Sequence, residues 1–133
     1  MNNIILLPIE QLKCHEAISS KRFKSLLGKI KKDGYIKNPV VVEKNYFIIL
    51  DGHHRVAVLK ELGATRVPVY LVDYESESIR VVLRRKNLMR NLTKSKVIRV
   101  GLSNRVFPQK TTKHFIGNRP KNINIGLDDL FIK

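Results

Sequence analysis

The stretch from Tyr46 to Gly63 constrains the fold more than any other part of the sequence. Its first five residues, Tyr46 to Leu50, are a continuous apolar, aromatic and β-branched run of strand length. Apolar residues then recur at helical spacing, at Val56, Leu59 and Leu62, and Gly63 is the residue type that ends a helix. The stretch therefore predicts a strand, a tight turn and a helix.

The predicted turn contains five residues that suit a bound anion: Asp51, Gly52, His53, His54 and Arg55. A helix start presents unpaired backbone N–H groups and the positive end of its dipole. Gly52 lets the backbone approach a ligand closely, while the imidazoles and the guanidinium supply further donors. We therefore expect this turn to bind a phosphate group.

Asp51 is the one carboxylate in this basic turn, and two interpretations stay open. It can cap the following helix, because a side-chain oxygen before a helix accepts from the first N–H groups. Alternatively, it holds a metal ion against the phosphates of a ligand.

Length and composition predict one domain and a location in the cytoplasm. A chain of 133 residues with 43% hydrophobic content has room for a single domain, residues 1–133, with a modest core. No apolar run reaches membrane-spanning length, and the N-terminus lacks the pattern of a secretory signal. Cys14 is the only cysteine, which excludes an internal disulfide framework.

The charge balance predicts a polyanionic partner without identifying it. The 26 Lys and Arg against 11 Asp and Glu give a formal net charge of +15. Nucleotides, nucleic acids and anionic metabolites are all attracted by such a charge. Part of it, including Arg22 and Lys29, can also be the solvated face of one helix.

Periodicity and turn residues place the remaining elements. Strands are predicted at residues 4–7, 40–43, 66–73 and 79–83, and helices from Ser19 or Ser20 to about Lys32 and from Thr93 to Val106. Lys44-Asn45 joins the second strand to Tyr46–Leu50 as a hairpin. Pro68 indicates an edge or early position in its strand. Residues 79–83 suit a strand or a helix, and their β-branched residues favour the strand.

A second polar, basic cluster lies near the end of the chain, at Lys110, Thr111, Thr112, Lys113 and His114. Hydroxyls beside amines suit phosphate or carboxylate binding, although such a segment taken alone is more often an ordinary turn. Asn118–Lys121 is predicted to be a loop. The apolar residues from Ile123 to Phe131 are predicted to dock on the core.

Taken together, these motifs resemble a known family. The segment Leu50-Asp-Gly-His-His-Arg55, its apolar helix and the strand after it resemble the ParB/sulfiredoxin superfamily. With His15-Glu16 before it and Phe107-Pro-Gln-Lys-Thr-Thr-Lys-His114 after it, the order is similar to the archaeal free serine kinases, a branch of that superfamily. The resemblance implies a single α/β (α+β) domain of the ParB/sulfiredoxin type, a small mixed sheet flanked by helices.

The resemblance also implies a reaction: transfer of a phosphoryl group from ADP or ATP to free L-serine, which yields O-phospho-L-serine. By that resemblance Glu16 is the base for the serine hydroxyl, and Asp51 is the essential aspartate and the ligand of Mg²⁺. Phosphates are bound by Gly52, His53, His54, Arg55, Lys110, Thr111 and Thr112, and serine by Glu16, Thr112 and His114. Phosphoryl transfer needs positioning, charge neutralisation and one base, which agrees with this set of residues.

The family pattern has one departure here. Longer kinases of the family carry a large additional region before the Lys-Thr-Thr segment, and Tyr74 to Val106 is too short to hold it. The resemblance therefore implies a compact kinase.

Three other classes compete with the kinase. A ParB-like DNA-binding or nucleotide-binding module, or a nuclease, agrees with the charge, and weak nucleic-acid binding is expected on that ground alone. The sequence offers one helix between Thr93 and Val106 and no convincing helix-turn-helix. Sulfiredoxin chemistry needs a cysteine in the phosphate turn, where His53 stands. A protein–protein adaptor has no use for Glu16, Asp51 and two phosphate-binding segments. Oligomeric state is left open.

Overall fold

The computed structural model describes residues 4–84, 92–103, 105–108 and 111–131. Within these ranges the strands are β1 (Ile4–Pro8), β2 (Tyr35–Ile36), β3 (Val40–Glu43), β4 (Ile49–Asp51), β5 (Arg66–Val72), β6 (Ile79–Leu83), β7 (Thr112–Ile116) and β8 (Ile125–Gly126). The α-helices are α1 (Ser20–Asp33), α2 (His53–Glu61) and α3 (Lys94–Gly101). Short 3₁₀ turns occupy Ile9–Gln11 and Leu127–Leu130.

Four strands form the central sheet in the order β1, β5, β3 and β4. β3 and β5 are parallel, whereas β1 with β5 and β3 with β4 are antiparallel. A parallel pair needs a crossover, and the hairpin strand β4 followed by α2 supplies it. The predicted small mixed sheet flanked by helices is therefore confirmed.

Apolar residues on both faces of the sheet are buried. Val40 and Val42 belong to the cluster that packs against α1 and α2, whereas Val41 belongs to a second cluster with Ile48 and Val97 of the other face. A strand buried on both faces has no polar alternation, which explains the continuous apolar run of β3.

Two small pairings close the structure around this sheet. β6 and β7 form an antiparallel ribbon, and β2 pairs with β8. Leu130 is fully buried, and its carbonyl accepts from the Thr65 N–H at 2.8 Å. The closing segment therefore docks on the core, as predicted.

The strand before the central turn is shorter than predicted. Residues 44–46 form the hairpin turn, and β4 begins only at Ile49. Phe47 has a φ of 59°, a left-handed conformation that interrupts strand geometry. The hairpin prediction is confirmed, but the prediction of a strand from Tyr46 is wrong because the chain is still turning there.

α3 ends earlier than predicted. Thr93 caps it by accepting from the Lys96 N–H at 3.2 Å, and its last residue is Gly101 rather than Val106. Phe107 instead pairs with Glu16 as an isolated parallel bridge. The apolar residues beyond Gly101 therefore do not continue the helical face.

β5 is an inner strand, so the edge alternative for Pro68 is wrong. Pro68 pairs with Leu6 of β1, and the pairing of β5 with β3 begins one residue later, at Val69 opposite Val40. Proline lacks the N–H that a second neighbour would require, and the structure provides no second neighbour at this position. The early-position alternative is confirmed.

The last three residues of the second basic cluster lie in a strand rather than a turn. Thr112 to His114 lie in β7, and Thr112 is opposite Leu83 of β6. The strand preferred for residues 79–83 is confirmed by the same ribbon. Lys110 lies outside the described residues.

No helix of the described residues combines the length and the hydrophobicity that a membrane crossing requires, and the longest has 14 residues.

We expect Gly101→Ala to destabilise the fold because α3 lies so close to the sheet. A Cβ at Gly101 would meet Ile48 side-chain atoms at 2.8 Å, and crowding of this kind in a core costs about 1–3 kcal/mol. Urea unfolding of wild type and variant measures the difference.

Gly28→Ala is the matched control, because Gly28 also lies in a helix and a Cβ there meets nothing within 4 Å. Helix propensity predicts a gain of about 0.8–1 kcal/mol. A Gly101→Ala protein as stable as Gly28→Ala would contradict the packing of α3 on Ile48.

Candidate active site

The start of α2 has the geometry of an anion site. Gly52 is the N-cap residue with φ 112° and ψ 21°, a left-handed conformation that glycine adopts without strain. No side chain caps the helix, so its first-turn N–H groups keep their donor capacity for a ligand. The alternative that Asp51 caps α2 is therefore wrong.

Asp51 is paired with arginine side chains instead. Its Oδ2 accepts a hydrogen bond from Nη2 of Arg119 and lies 3.5 Å from Nη2 of Arg55. Burial raises the pKa of Asp51, but the Arg119 hydrogen bond and the two arginine charges outweigh it, so the net shift is downward. Asp51 is therefore a carboxylate at neutral pH.

Arg55 is held by the backbone as well as by Asp51. Its Nη1 donates to the carbonyls of Asn38 and Pro39 at 2.8 and 2.9 Å. These bonds fix the guanidinium beside Gly52, where a Cβ would lie 3.1 Å from Nη2. The cation is therefore in place before any ligand arrives.

Glu16 is positioned by a backbone bridge and by Thr112. The Phe107 N–H donates to the His15 carbonyl, and the Ala17 N–H donates to the Phe107 carbonyl, both at 2.8 Å. Glu16 Oε1 accepts from the Thr112 N–H at 2.7 Å and lies 2.8 Å from the Thr112 hydroxyl. Two separate parts of the chain thus fix one carboxylate.

His53 and His54 hold the segment that carries Glu16. His53 Nε2 accepts from the His15 N–H at 3.1 Å, and His54 Nε2 accepts from the Ser19 N–H at 2.9 Å. A backbone N–H can only donate, so both rings are neutral with the proton on Nδ1. Burial lowers the pKa of both rings, most strongly that of His53, which agrees with this assignment.

His15 and His114 complete the group of neighbouring histidines, in which His15 and His53 are buried and His54 and His114 are partly buried. His15 Nδ1 lies 2.7 Å from the Ile49 carbonyl, and its ring contacts those of His53 and His114 at centroid distances of 4.7 and 5.6 Å. His114 Nε2 lies 2.7 Å from the Tyr74 hydroxyl. Burial and the nearby His15 lower the pKa of His114 to about 3.

A cavity of about 680 Å³ brings most of the sequence-predicted site residues together. Its lining includes Glu16, Asp51, Gly52, His53, His54, Arg55, Thr112 and His114. Thr111 does not line it, since this residue is buried and its hydroxyl donates to the Pro108 carbonyl. Lys110, outside the described residues, is not placed.

The same cavity is lined by Lys113 of the second basic cluster and by basic residues that sequence reasoning did not assign to a site: Arg22, Lys29, Arg84, Arg119 and Lys121. Arg22 and Lys29 belong to α1. Basic residues also occur on the solvent-exposed face of an ordinary helix, so their residue types alone do not indicate a binding site. Arg119 lies in the predicted loop, 68 positions after the aspartate that it contacts. No local signal identifies such a residue, because only the fold brings the loop to the turn.

The residues present fit a magnesium ion that arrives together with a nucleotide. Among the described residues, no group of three His, Cys, Asp or Glu side chains forms a metal site. Mg²⁺ is usually held by one or two carboxylates plus substrate phosphates rather than by an all-protein cage. Asp51, beside the anion site of α2, supplies one such carboxylate.

We expect the stability of the protein to fall as pH decreases from 6.5 to 5. The pKa values of buried His15 and His53 and of partly buried His114 are lowered from 6.5, so the unfolded chain binds protons that the folded chain does not. Each such proton removes up to about 1.4 kcal/mol of stability per pH unit between the two pKa values. Urea unfolding at several pH values measures the slope.

His114→Gln is the control variant, because glutamine can still pair with Tyr74 but does not titrate. Its slope should be shallower by about one proton than that of wild type. Equal slopes would mean that His114 titrates alike in the folded and unfolded chains.

Curated relatives of this chain include serine kinases. An ATP-dependent L-serine kinase of Staphylothermus marinus is 35% identical over 81 residues, which are 58% of this chain and 32% of that protein. An ADP-dependent L-serine kinase of Thermococcus kodakarensis is 30% identical over 81 residues, 58% of this chain and 34% of that one. The chain thus spans about a third of the length of these relatives. The predicted resemblance to free serine kinases is confirmed.

The fold is also that of a solved enzyme. The structure of a free serine kinase in complex with AMP superposes with a TM-score of 0.87 at 17% identity, over 98% of this chain and 94% of that one. The model of the ParB N-terminal domain family matches residues 1–88, which include the Asp51–Arg55 turn and Glu16. The chain therefore belongs to the ParB N-terminal domain family.

Proposed function

We propose that this chain, acting as one domain, is a free L-serine kinase that transfers a phosphoryl group from a nucleotide to the serine hydroxyl. The observation that carries the proposal is the cavity that holds Glu16 and Asp51 together with the uncapped start of α2. A base, a carboxylate and phosphate donors in one cavity are the parts that phosphoryl transfer needs. Names of curated relatives support the same chemistry.

The phosphate end of the proposed reaction lies at Gly52. The first N–H groups of α2 would donate to phosphate oxygens, while Arg55 and Arg119 neutralise their charge. Lys113, which lines the same cavity, would contact the transferred group, whereas the donors of Thr112 are already used within the protein by Glu16 and His15. Because Nε2 of both His53 and His54 already accepts from backbone N–H groups, only their Nδ1–H groups can donate to phosphate.

Glu16 is the proposed base. The O–H bond of serine breaks as its proton moves to the Glu16 carboxylate, and the serine oxygen forms a bond to phosphorus. The bond between that phosphorus and the nucleotide oxygen breaks, which releases O-phospho-L-serine and the shortened nucleotide. The hydrogen bond from the Thr112 N–H helps to keep the carboxylate in the cavity.

Mg²⁺ is the proposed cofactor, and Asp51 would hold it against the nucleotide phosphates. When bound, the ion would neutralise phosphate charge that Arg55 and Arg119 balance only in part. Asp51 also orients both arginines, so its role would be double. ADP and ATP are both proposed donors, because the relatives are named for either one.

A second candidate is a nucleotide- and nucleic-acid-binding module. Membership of the ParB N-terminal domain family and the formal charge of +15 favour it. Such a module would bind nucleotide in the same cavity but would have no need of a base at Glu16. Serine-dependent turnover therefore separates the two candidates.

We expect phosphoserine from L-serine, Mg²⁺ and ADP or ATP, and we expect Glu16→Gln to lower kcat by at least about a hundredfold. Nucleotide binding should persist, because glutamine removes only the base. Mass spectrometry of phosphoserine and nucleotide product, with calorimetry for binding, measures both quantities. Glu10→Gln, an exposed glutamate on the first 3₁₀ turn, is the matched control.

One result would count against the kinase, and another against Glu16 as its base. Absence of phosphoserine with either donor, together with salt-sensitive retention on DNA, would favour the binding module. Loss of nucleotide affinity in Glu16→Gln would place this residue in the donor site instead.

For Asp51→Asn we expect weaker turnover that a higher Mg²⁺ concentration restores only in part. Asparagine retains one oxygen but neither the metal-binding charge nor the ion pairs with Arg55 and Arg119. The rate as a function of Mg²⁺ concentration measures the change, with the exposed Asp128→Asn as control. An unchanged magnesium dependence would exclude Asp51 as the ligand.

A further inference from the structure

His15 is a buried residue to which the proposed reaction gives no task. Its side chain is fully buried, yet both ring nitrogens have polar partners. Nδ1 lies 2.7 Å from the Ile49 carbonyl, and Nε2 lies 2.8 Å from the hydroxyl oxygen of Thr112. That same hydroxyl oxygen lies 2.8 Å from Oε1 of Glu16. A line of hydrogen bonds thus connects the core to the proposed base.

The number of protons along this line can be counted. A carbonyl only accepts, so the contact between His15 and Ile49 takes its hydrogen from Nδ1. The Thr112 hydroxyl has a single hydrogen, which serves either His15 or Glu16 but not both. The remaining close contact needs one more proton, on Nε2 of His15 or on Oε1 of Glu16.

We propose that Glu16, Thr112 and His15 form one proton-sharing unit, in which Thr112 conducts a proton between the Glu16 carboxyl and the His15 imidazole. Moving the shared proton from Glu16 to His15 takes two concerted shifts. The proton on Oε1 passes to the Thr112 oxygen as the Thr112 hydrogen passes to Nε2. The Thr112 side chain is a neutral hydroxyl before and after this transfer. Only the protonation states of Glu16 and His15 change.

The catalytic role of this proton-sharing unit rests on the proposed kinase function, to which it adds the path of one proton. When serine gives its proton to Glu16, the shared proton moves to His15. The serine O–H bond breaks, one proton is then on Glu16 and one on His15, and the serine oxygen carries its electron pair to phosphorus. His15 is a positioning residue in this scheme, because it acts on the reaction through Thr112.

The surroundings of His15 set its proton affinity. Burial lowers the pKa of His15 and outweighs the Ile49 hydrogen bond and the Glu16 charge, which raise it, so the net shift is downward. Two other titratable rings face it, His53 at the start of α2 and His114 on β7. The neutral Nδ1–H form of His53 is fixed by its bond from the His15 N–H, so the charged partner of His15 is Glu16.

Thr112→Val tests the unit without disturbing the core around His15. Valine fits the β-branched site in β7 and keeps the N–H bond to Glu16, but it removes the hydroxyl that joins Glu16 to His15. Thr112→Ser keeps the hydroxyl and is the rescue variant. The probe is ¹⁵N NMR of the ring nitrogens as a function of pH, which is tractable because the chain has four histidines.

In the NMR titration we expect the pKa of His15 to fall by more than about half a unit in Thr112→Val and to recover in Thr112→Ser. The pKa of His54, whose Nε2 accepts from the Ser19 N–H and which is linked to Glu16 only through its charge, should move less than that of His15. If His15 has the same pKa in wild type, Thr112→Ser and Thr112→Val, the proposal is overturned.

Kinetics give the second readout. We expect Thr112→Val to lower kcat about tenfold to a hundredfold, and Thr112→Ser to recover most of that loss.

The rate in mixtures of H₂O and D₂O should be a curved function of deuterium fraction in wild type, since several protons move, and a straight line in Thr112→Val. A curve of equal shape in both proteins would exclude the shared transfer. Absence of any kinase activity would count against the proposed function, and the NMR result would still decide whether the unit exists.

Discussion

The hydrogen bonds that two neighbouring imidazoles accept from a distant backbone segment hold the candidate site together. His53 and His54 belong to the first turn of α2, and their Nε2 atoms accept from the N–H groups of His15 and Ser19. The segment between these two residues carries Glu16 and leads into α1. Both bonds require neutral rings, and burial provides that condition by disfavouring the charged form. The two histidines thus hold the proposed base in place, which is a different task from the direct contact with phosphate that their position in the turn suggests.

The charge arrangement at the neighbouring turn follows a different principle. Asp51 lies between two arginines, and Arg55 is fixed in addition by the carbonyls of Asn38 and Pro39. A positive charge that is oriented in advance needs no reorganisation when an anion binds, which is the condition for strong electrostatic stabilisation. The uncapped start of α2 adds backbone donors at the same place. The cavity therefore has two parts of different charge. Neutral imidazoles lie beside Glu16, the proposed catalytic base, and fixed cations lie at the anion site.

Much of the fold was predictable because its signals are local. The cap at Ser19, the left-handed Gly34 at the end of α1 and the apolar runs of β1, β3 and β5 all follow from residues close in sequence. The predictions that were wrong concern places where a contact from elsewhere decides the conformation. α3 ends at Gly101, and β5 lies inside the sheet in spite of Pro68. In each case local propensity was overruled by packing or by strand pairing.

The sequence by itself determined the strand, turn and helix around Asp51–Arg55 and the types of residue available for an anion site. These features were predictable because the signals for a tight turn, a helix start and an apolar strand come from residues that are adjacent in sequence. Only the tertiary structure decided that Arg119 pairs with Asp51 and that Thr112 joins Glu16 to His15. These partners are separated by 68 and about 96 positions, and no pattern in a single sequence encodes a contact over such a distance. The sequence supplied the chemical groups, and the folding of β7 and the closing loop against the central turn gave those groups their partners.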